Sequence, residues 1–220
     1  MPEAEAQESA GVLRSLPFAA CFIYAPRGTG LLSTGGRALC QRVKTIDPLW
    51  VPRYAGCVAE LYARARLFQR IFARDALLVP VPGSTAAGTA QWAAWQLAAA
   101  FRELGLASGV WAGLERQFPV TKSATAPLGE RPTVRQHYAS LSVGRVPKPR
   151  PQRVVLVDDV ITKGRTLLAA AARLGCELPH ADIKAFALIR TLGFVNRINC
   201  LLAPCEGFVY WAGGDARREP

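Results

Sequence analysis

The segment 154–166, Val-Val-Leu-Val-Asp-Asp-Val-Ile-Thr-Lys-Gly-Arg-Thr, constrains this chain more than any other part of it. Four consecutive apolar residues read as a strand buried on both faces, the signature of a parallel sheet covered by helices. The strand runs straight into two adjacent carboxylates, Asp158 and Asp159. In open α/β sheets, ligands bind in the crevice beyond the carboxyl ends of the strands. Carboxylates placed there accept hydrogen bonds from vicinal hydroxyls such as those of a ribose. Thr162, Lys163, Gly164, Arg165 and Thr166 follow, and then a helical pattern begins. Backbone N–H groups and hydroxyls at a helix N-terminus form a cradle for a phosphate dianion. Lys163 adds only a solvent-screened charge in this reading, while Gly164 lets the backbone come close to the phosphate. The alternative is a buried strand ending in an acidic turn, which leaves two mutually repelling carboxylates without a packing role.

A second unit repeats the pattern. Residues 76–81 are a short apolar run that ends in Pro80-Val81-Pro82-Gly83-Ser84-Thr85. Proline is poorly tolerated inside a central strand, so the ladder finishes here. Pro82, Gly83, Ser84 and Thr85 then offer a second small-residue turn. A helix follows, with Ala90, Ala94, Leu97, Phe101 and Leu104 on one stripe. Strand, small turn and helix again make an anion-binding geometry.

The remaining pattern fits the same fold class. Residues 18–25 read as a strand, closed by the turn composition of 26–30. Ser33 is placed to cap a helix carrying Leu39, Val43 and Ile46. A longer helix is predicted over 54–73, with Val58, Leu61, Ala65, Phe68 and Phe72 on one face. After the phosphate loop, Leu167, Leu168, Ala171 and Leu174 form the apolar face of a helix that Gly175 can end. Residues 183–189 read as the next strand and complete a βαβ unit. Residues 207–211 read as an added edge strand. Residues 115–150 are the least regular, rich in proline and in the basic side chains Arg116, Lys122, Arg131 and Arg135, and only 138–143 alternate like a strand. Irregular segments of this length are lids or surface loops. The expectation is a loose tail over 1–16 and one α/β domain over 17–220, with a mainly parallel sheet flanked by helices and a small irregular hood.

Composition narrows the function classes. No apolar run approaches the roughly 20 residues of a membrane helix, and the acidic start Met1-Pro2-Glu3 has the wrong sign for a signal peptide. A cytoplasmic location is the expectation. The six cysteines are scattered without a Cys-x-x-Cys pair, which argues against a zinc ribbon or a disulfide framework. His137 and His180 show no metal-ligand spacing. The formal charge of +11 suits either nucleic acid or a multiply phosphorylated substrate. Because the basic residues do not form runs, nucleic acid is the less favoured partner.

The arrangement of four apolar positions, two acids, two apolar positions and Thr-x-Gly-x-Thr resembles the phosphoribosyl-pyrophosphate motif of the type I phosphoribosyltransferases. Lys163 stands where that family more often has Thr or Ser. The resemblance implies that Asp158 and Asp159 contact the ribose hydroxyls near Mg²⁺ and that residues 162–166 wrap the 5′-phosphate. It also implies that Pro82, Gly83, Ser84 and Thr85 form the pyrophosphate loop. Val79-Pro80-Val81-Pro82 is similar to the ComF-like, competence-related branch, but that branch's Cys-rich zinc module and its basic segment after the tetrapeptide are missing. By the same resemblance, Arg116, Lys122 and Arg131 belong to a lid over the substrate. The implied activity is Mg²⁺-dependent transfer from phosphoribosyl pyrophosphate to an unidentified acceptor. Hypoxanthine-guanine enzymes carry an Asp where this chain has Thr162, which argues against that acceptor. The rival implication is a non-catalytic binding or nucleic-acid-processing protein. Oligomeric state stays open, with a homodimer among the options.

Overall fold

The computed structural model describes residues 14–84, 92–121, 131–193 and 195–220. In chain order its elements are β1 (Ser15–Tyr24), α1 (Leu31–Lys44), α2 (Trp50–Arg64), β2 (Leu77–Pro80), α3 (Ala93–Glu103), β3 (Gly109–Val110), β4 (Leu114–Arg116), α4 (Val134–Ser140), β5 (Leu141–Val143), β6 (Arg153–Ile161), α5 (Arg165–Glu177), β7 (Asp182–Thr191), β8 (Leu202–Ala212) and β9 (Asp215–Glu219). Seven strands form one sheet in the order β3-β2-β6-β7-β1-β8-β9. The run from β3 to β1 is parallel throughout, while β8 is antiparallel to β1 and β9 to β8. β4 and β5 pair separately as a small antiparallel ribbon. The chain therefore has an α/β fold with a mainly parallel sheet.

Strand alternation explains the two cores. Val155 and Val157 of β6 and Phe186 and Leu188 of β7 point to the face covered by α1, α2 and α3. Val154, Leu156, Ala185 and Ala187 point to the opposite face, where α5 contributes Leu167, Leu168 and Leu174. The first face is centred on Phe186, whose ring lies 5.3 Å from Phe68, 4.9 Å from Phe72 and 5.3 Å from Phe101. Such offset and edge-on contacts add to the area buried.

Several elements differ from the sequence pattern. α2 stops at Arg64, because Arg66 and Phe68 take positive φ angles of 54° and 64°. Phe68 and Phe72 are still buried, so helical spacing continues where the helix does not. The Phe68 N–H instead donates to Glu206 Oε1 at 3.0 Å. α1 is capped at Gly30, with no side-chain cap, and the Ser33 hydroxyl lies buried without a partner among the described residues. Gly175 falls inside α5, which runs on to Glu177. Residues 134–140 are helical and only 141–143 are extended. β8 is longer than predicted and is not the edge strand, since β9 covers it. β1 begins at Ser15, inside the stretch read as a tail.

The connections create a crevice. β2 returns through α3 to β3 on one side, whereas β6 returns through α5 to β7 on the other. α3 and α5 lie on opposite faces of the sheet. The direction of winding thus reverses between β2 and β6, and their carboxyl ends flank the switch point where such sheets bind ligands. Among the described residues, no helix is long and apolar enough to cross a membrane.

Candidate functional site

Both small-residue turns of the sequence emerge at this switch point. Pro80 of β2 is in register with Val157 of β6, and the Val81 N–H donates to the Val157 carbonyl at 2.9 Å. The next residues of the two strands are Pro82 and Asp158. Asp158 and the whole of residues 162–166 line one cavity of about 100 Å³, together with Arg131, Val160, Ile161 and Leu167. The structure thus brings the first acid and the 162–166 loop to the wall of one cavity.

Gly164 is the N-cap of α5, with φ 84° and ψ 13°, a left-handed conformation. The fold itself already demands glycine at this position. A Cβ there would stand 2.6 Å from both γ-methyls of Val209 on β8. The left-handed backbone and the packing of Val209 exclude a side chain without any ligand being involved.

The loop's cations are not free arms either. Lys163 Nζ lies 2.9 Å from Asp215 Oδ2, and Arg165 grips the same carboxylate through Nε at 2.5 Å and Nη2 at 2.6 Å. Arg165 Nη1 also donates to the carbonyls of Arg131 and Pro132, at 3.3 and 3.1 Å. Partial burial pushes the Asp215 carboxyl up, but hydrogen bonds from Arg165 and Lys163 outweigh it and hold it well below the usual carboxylate range. Asp215, on the β8–β9 hairpin, fixes the Lys163 and Arg165 side chains of the loop.

Asp158 and Asp159 occupy consecutive positions of β6, so the pleat starts them towards opposite faces. Asp158 lines the cavity, whereas Asp159 is not among the lining residues. The Asp159 N–H donates to Asp158 Oδ1 and the Val160 N–H to Asp159 Oδ1, both at 2.9 Å. Desolvation, followed by the charge of Asp159, raises the Asp158 carboxyl well above its ordinary value. Among the described residues, no group of three or more His, Cys, Asp or Glu side chains could hold a metal. Two hard carboxylates fit Mg²⁺, which is commonly held by one or two carboxylates with substrate phosphates and water completing its shell.

Across the β2–β6 pair, Pro82 and Ser84 are half-buried and Gly83 is exposed, while Thr85 lies outside the described residues. Arg116 lies behind this turn. Expected as part of an exposed lid, it is instead 2% exposed. Its Nε donates to the Gly83 carbonyl, its Nη2 to the Pro82 carbonyl at 3.4 Å and its Nη1 to Ser140 Oγ at 2.5 Å. Burial draws its pKa down and Asp158 opposes the shift. Arg131 lines the cavity together with the 162–166 loop. Lys122 lies outside the described residues.

α4 supplies contacts that the sequence reading missed. A reciprocal capping box between Thr133 and Gln136 starts this short helix, and that signal was present in the sequence. The Ser140 hydroxyl, which accepts from Arg116, donates to the His137 carbonyl at 2.8 Å. His137 is buried, with Nε2 3.4 Å from Thr166 Oγ1 and Nδ1 lacking a partner among the described residues. Burial first, then Arg116 and Arg165, bring its pKa down to about 4. The imidazole is therefore neutral at pH 7.

No family model and no curated protein matches the chain. Among solved structures, it is similar to a hypoxanthine phosphoribosyltransferase from Staphylococcus aureus, with 10% identity over 69% of this chain and 70% of that one. The TM-score is 0.32. The likeness is distant.

Proposed function

We propose that the chain is a Mg²⁺-dependent phosphoribosyltransferase of the type I class, with phosphoribosyl pyrophosphate as donor. The observation that carries this reading is the shared cavity of Asp158 and residues 162–166, on the strand paired with the one that leads into the 82–84 turn, at the switch point of a parallel sheet. An acid pair for a diol and two backbone cradles for anions match the three parts of that donor.

In this reading the 162–166 backbone and the Thr166 hydroxyl hold the 5′-phosphate. Asp158 and Asp159 hold the ribose hydroxyls and Mg²⁺. When bound, Mg²⁺ supplies counter-charge to the pyrophosphate oxygens. The bond from the anomeric carbon to the pyrophosphate oxygen breaks and its electron pair leaves with the pyrophosphate. A nitrogen nucleophile forms the new bond and releases its proton. Positive charge develops on the ribose, so a nearby carboxylate and fixed peptide dipoles aid the reaction through position and electrostatics.

The Val79-Pro80-Val81-Pro82 run, shared with the ComF-like branch, favours a second reading in which the donor is bound but not transferred. Release of pyrophosphate from phosphoribosyl pyrophosphate, with Mg²⁺ and a panel of purine and pyrimidine bases, separates the two. Base-dependent release supports transfer, binding without release supports the second reading, and the absence of both release and binding contradicts the site proposed.

A further inference from the structure

The carbonyls of residues 81–84 all turn to donors of the protein. Val81 O accepts from Trp92 Nε1 at 2.8 Å, Pro82 O and Gly83 O from Arg116, and Ser84 O from the Val120 N–H at 2.9 Å. The peptide bonds joining 82 to 83 and 83 to 84 are trans. In a trans peptide the N–H points away from the C=O of the same unit. With both carbonyls drawn to one guanidinium, the N–H groups of Gly83 and Ser84 are turned to the other side. A Cβ on Gly83 would meet nothing within 4 Å among the described residues. Among the described residues, neither N–H has an acceptor. Successive N–H groups on one side of a turn form an anion-binding concavity.

Arg116 is an unusual choice for a merely structural brace. It is almost fully buried, and among the described residues its hydrogen bonds go to two carbonyls and a hydroxyl rather than to a carboxylate. A buried guanidinium without a carboxylate partner is costly for the fold, and it raises the potential of the turn it supports.

We propose that Arg116 is a positioning residue for the departing pyrophosphate: its planar fork fixes the Pro82 and Gly83 carbonyls so that the Gly83 and Ser84 N–H groups receive the pyrophosphate oxygens. The inference rests on the phosphoribosyltransferase reading and adds to it a buried cation that acts through the backbone without touching the ligand. Lysine cannot replace it, because one ammonium cannot reproduce three separated donors in a plane.

The test uses Arg116→Lys and Arg116→Met, with calorimetric titration of Mg²⁺-pyrophosphate and, separately, ribose 5-phosphate. Both variants are expected to weaken pyrophosphate at least tenfold and to leave ribose 5-phosphate within twofold of the wild type. Pyrophosphate binding by Arg116→Lys at wild-type strength would overturn the proposal, as would equal loss of both ligands in a folded variant. If the Arg116 variants do not fold, Ser140→Ala removes a single acceptor of the fork and is expected to weaken pyrophosphate severalfold, and no change there counts against the proposal. Should the wild type bind neither ligand, the phosphoribosyltransferase reading fails. The role of Arg116 is then decided by a crystal structure of Arg116→Lys or, if that variant does not fold, of Ser140→Ala. Turned peptides at 82–84 support its bracing of the turn alone, and unchanged ones overturn that too.

Discussion

Gly164 and Val209 are packed so closely that a Cβ on the glycine would stand 2.6 Å from both valine γ-methyls. The contact locks the start of α5 against β8, and it makes the phosphate loop's geometry a property of the fold. Gly164→Ala is expected to destabilise the protein by roughly 3 kcal/mol, part from the left-handed backbone and part from overpacking. Val209→Ala in the same chain should recover the overpacking part only. A urea double-mutant cycle is expected to give a coupling of about 1 kcal/mol or more. Strict additivity would place the glycine's role elsewhere.

His137 predicts a distinctive pH dependence. Its folded pKa is lowered to about 4, chiefly by burial, with Arg116 and Arg165 adding to the effect. The unfolded imidazole takes its proton near the ordinary value of roughly 6.5. Stability from this group is therefore intact above that value and declines as pH falls towards 4. The decline amounts to about 3 kcal/mol at most. His137→Gln keeps a donor for Thr166 but cannot titrate. Between pH 7.5 and 4.5 the wild type should lose more urea stability than the variant, and parallel losses would contradict the assignment.

Asp215 has the opposite sign. Its folded carboxyl is held below the usual range by Arg165 and Lys163, so it stabilises the fold above the unfolded pKa of roughly 3.9. That contribution is lost as pH falls further. Asp215→Asn is expected to cost about 1 to 2 kcal/mol at pH 7, a modest figure because the carboxylate is partly exposed and Lys163 more so. As pH falls below the unfolded value the difference between variant and wild type should narrow steadily. A difference that stays constant over that range would mean that Asp215 acts through packing.

How much of this was visible beforehand depended on the range of the interactions. The runs 154–157 and 185–189 are apolar because both faces of β6 and β7 are buried there, and that cause is local enough to read directly. The 162–166 turn was legible for the same reason. Arg116 was misplaced because basic residues are nearly always at the surface, and its burial depends on carbonyls more than thirty residues away. Asp215 pairs with Lys163 and Arg165 across about fifty residues and leaves no local trace. α4 was hidden by its proline-rich surroundings, although Thr133 and Gln136 carried its capping signal. Helical spacing misled at Phe68 and Phe72, where the core demands aromatic rings but the backbone has already left the helix.

Asp158 ties stability to the site. Its carboxyl is raised by burial and by Asp159, so the folded state loses stability as pH rises above the unfolded value of roughly 3.9. Asp158→Asn removes that penalty and is expected to stabilise the metal-free protein at pH 7, by about 1 kcal/mol or more. Destabilisation measured in urea would make the carboxylate a structural group and remove it from the proposed ribose site.

The most direct measurement is isothermal titration of phosphoribosyl pyrophosphate into the wild type and into the folded Asp158→Asn/Asp159→Asn double variant, each with and without Mg²⁺. The proposed function predicts Mg²⁺-dependent heat for the wild type and none for the double variant. A wild-type thermal shift at 100-fold excess over the dissociation constant should correspond to about 2.7 kcal/mol. Absence of heat and of a thermal shift for the wild type at millimolar ligand, or undiminished binding by the double variant, would contradict it.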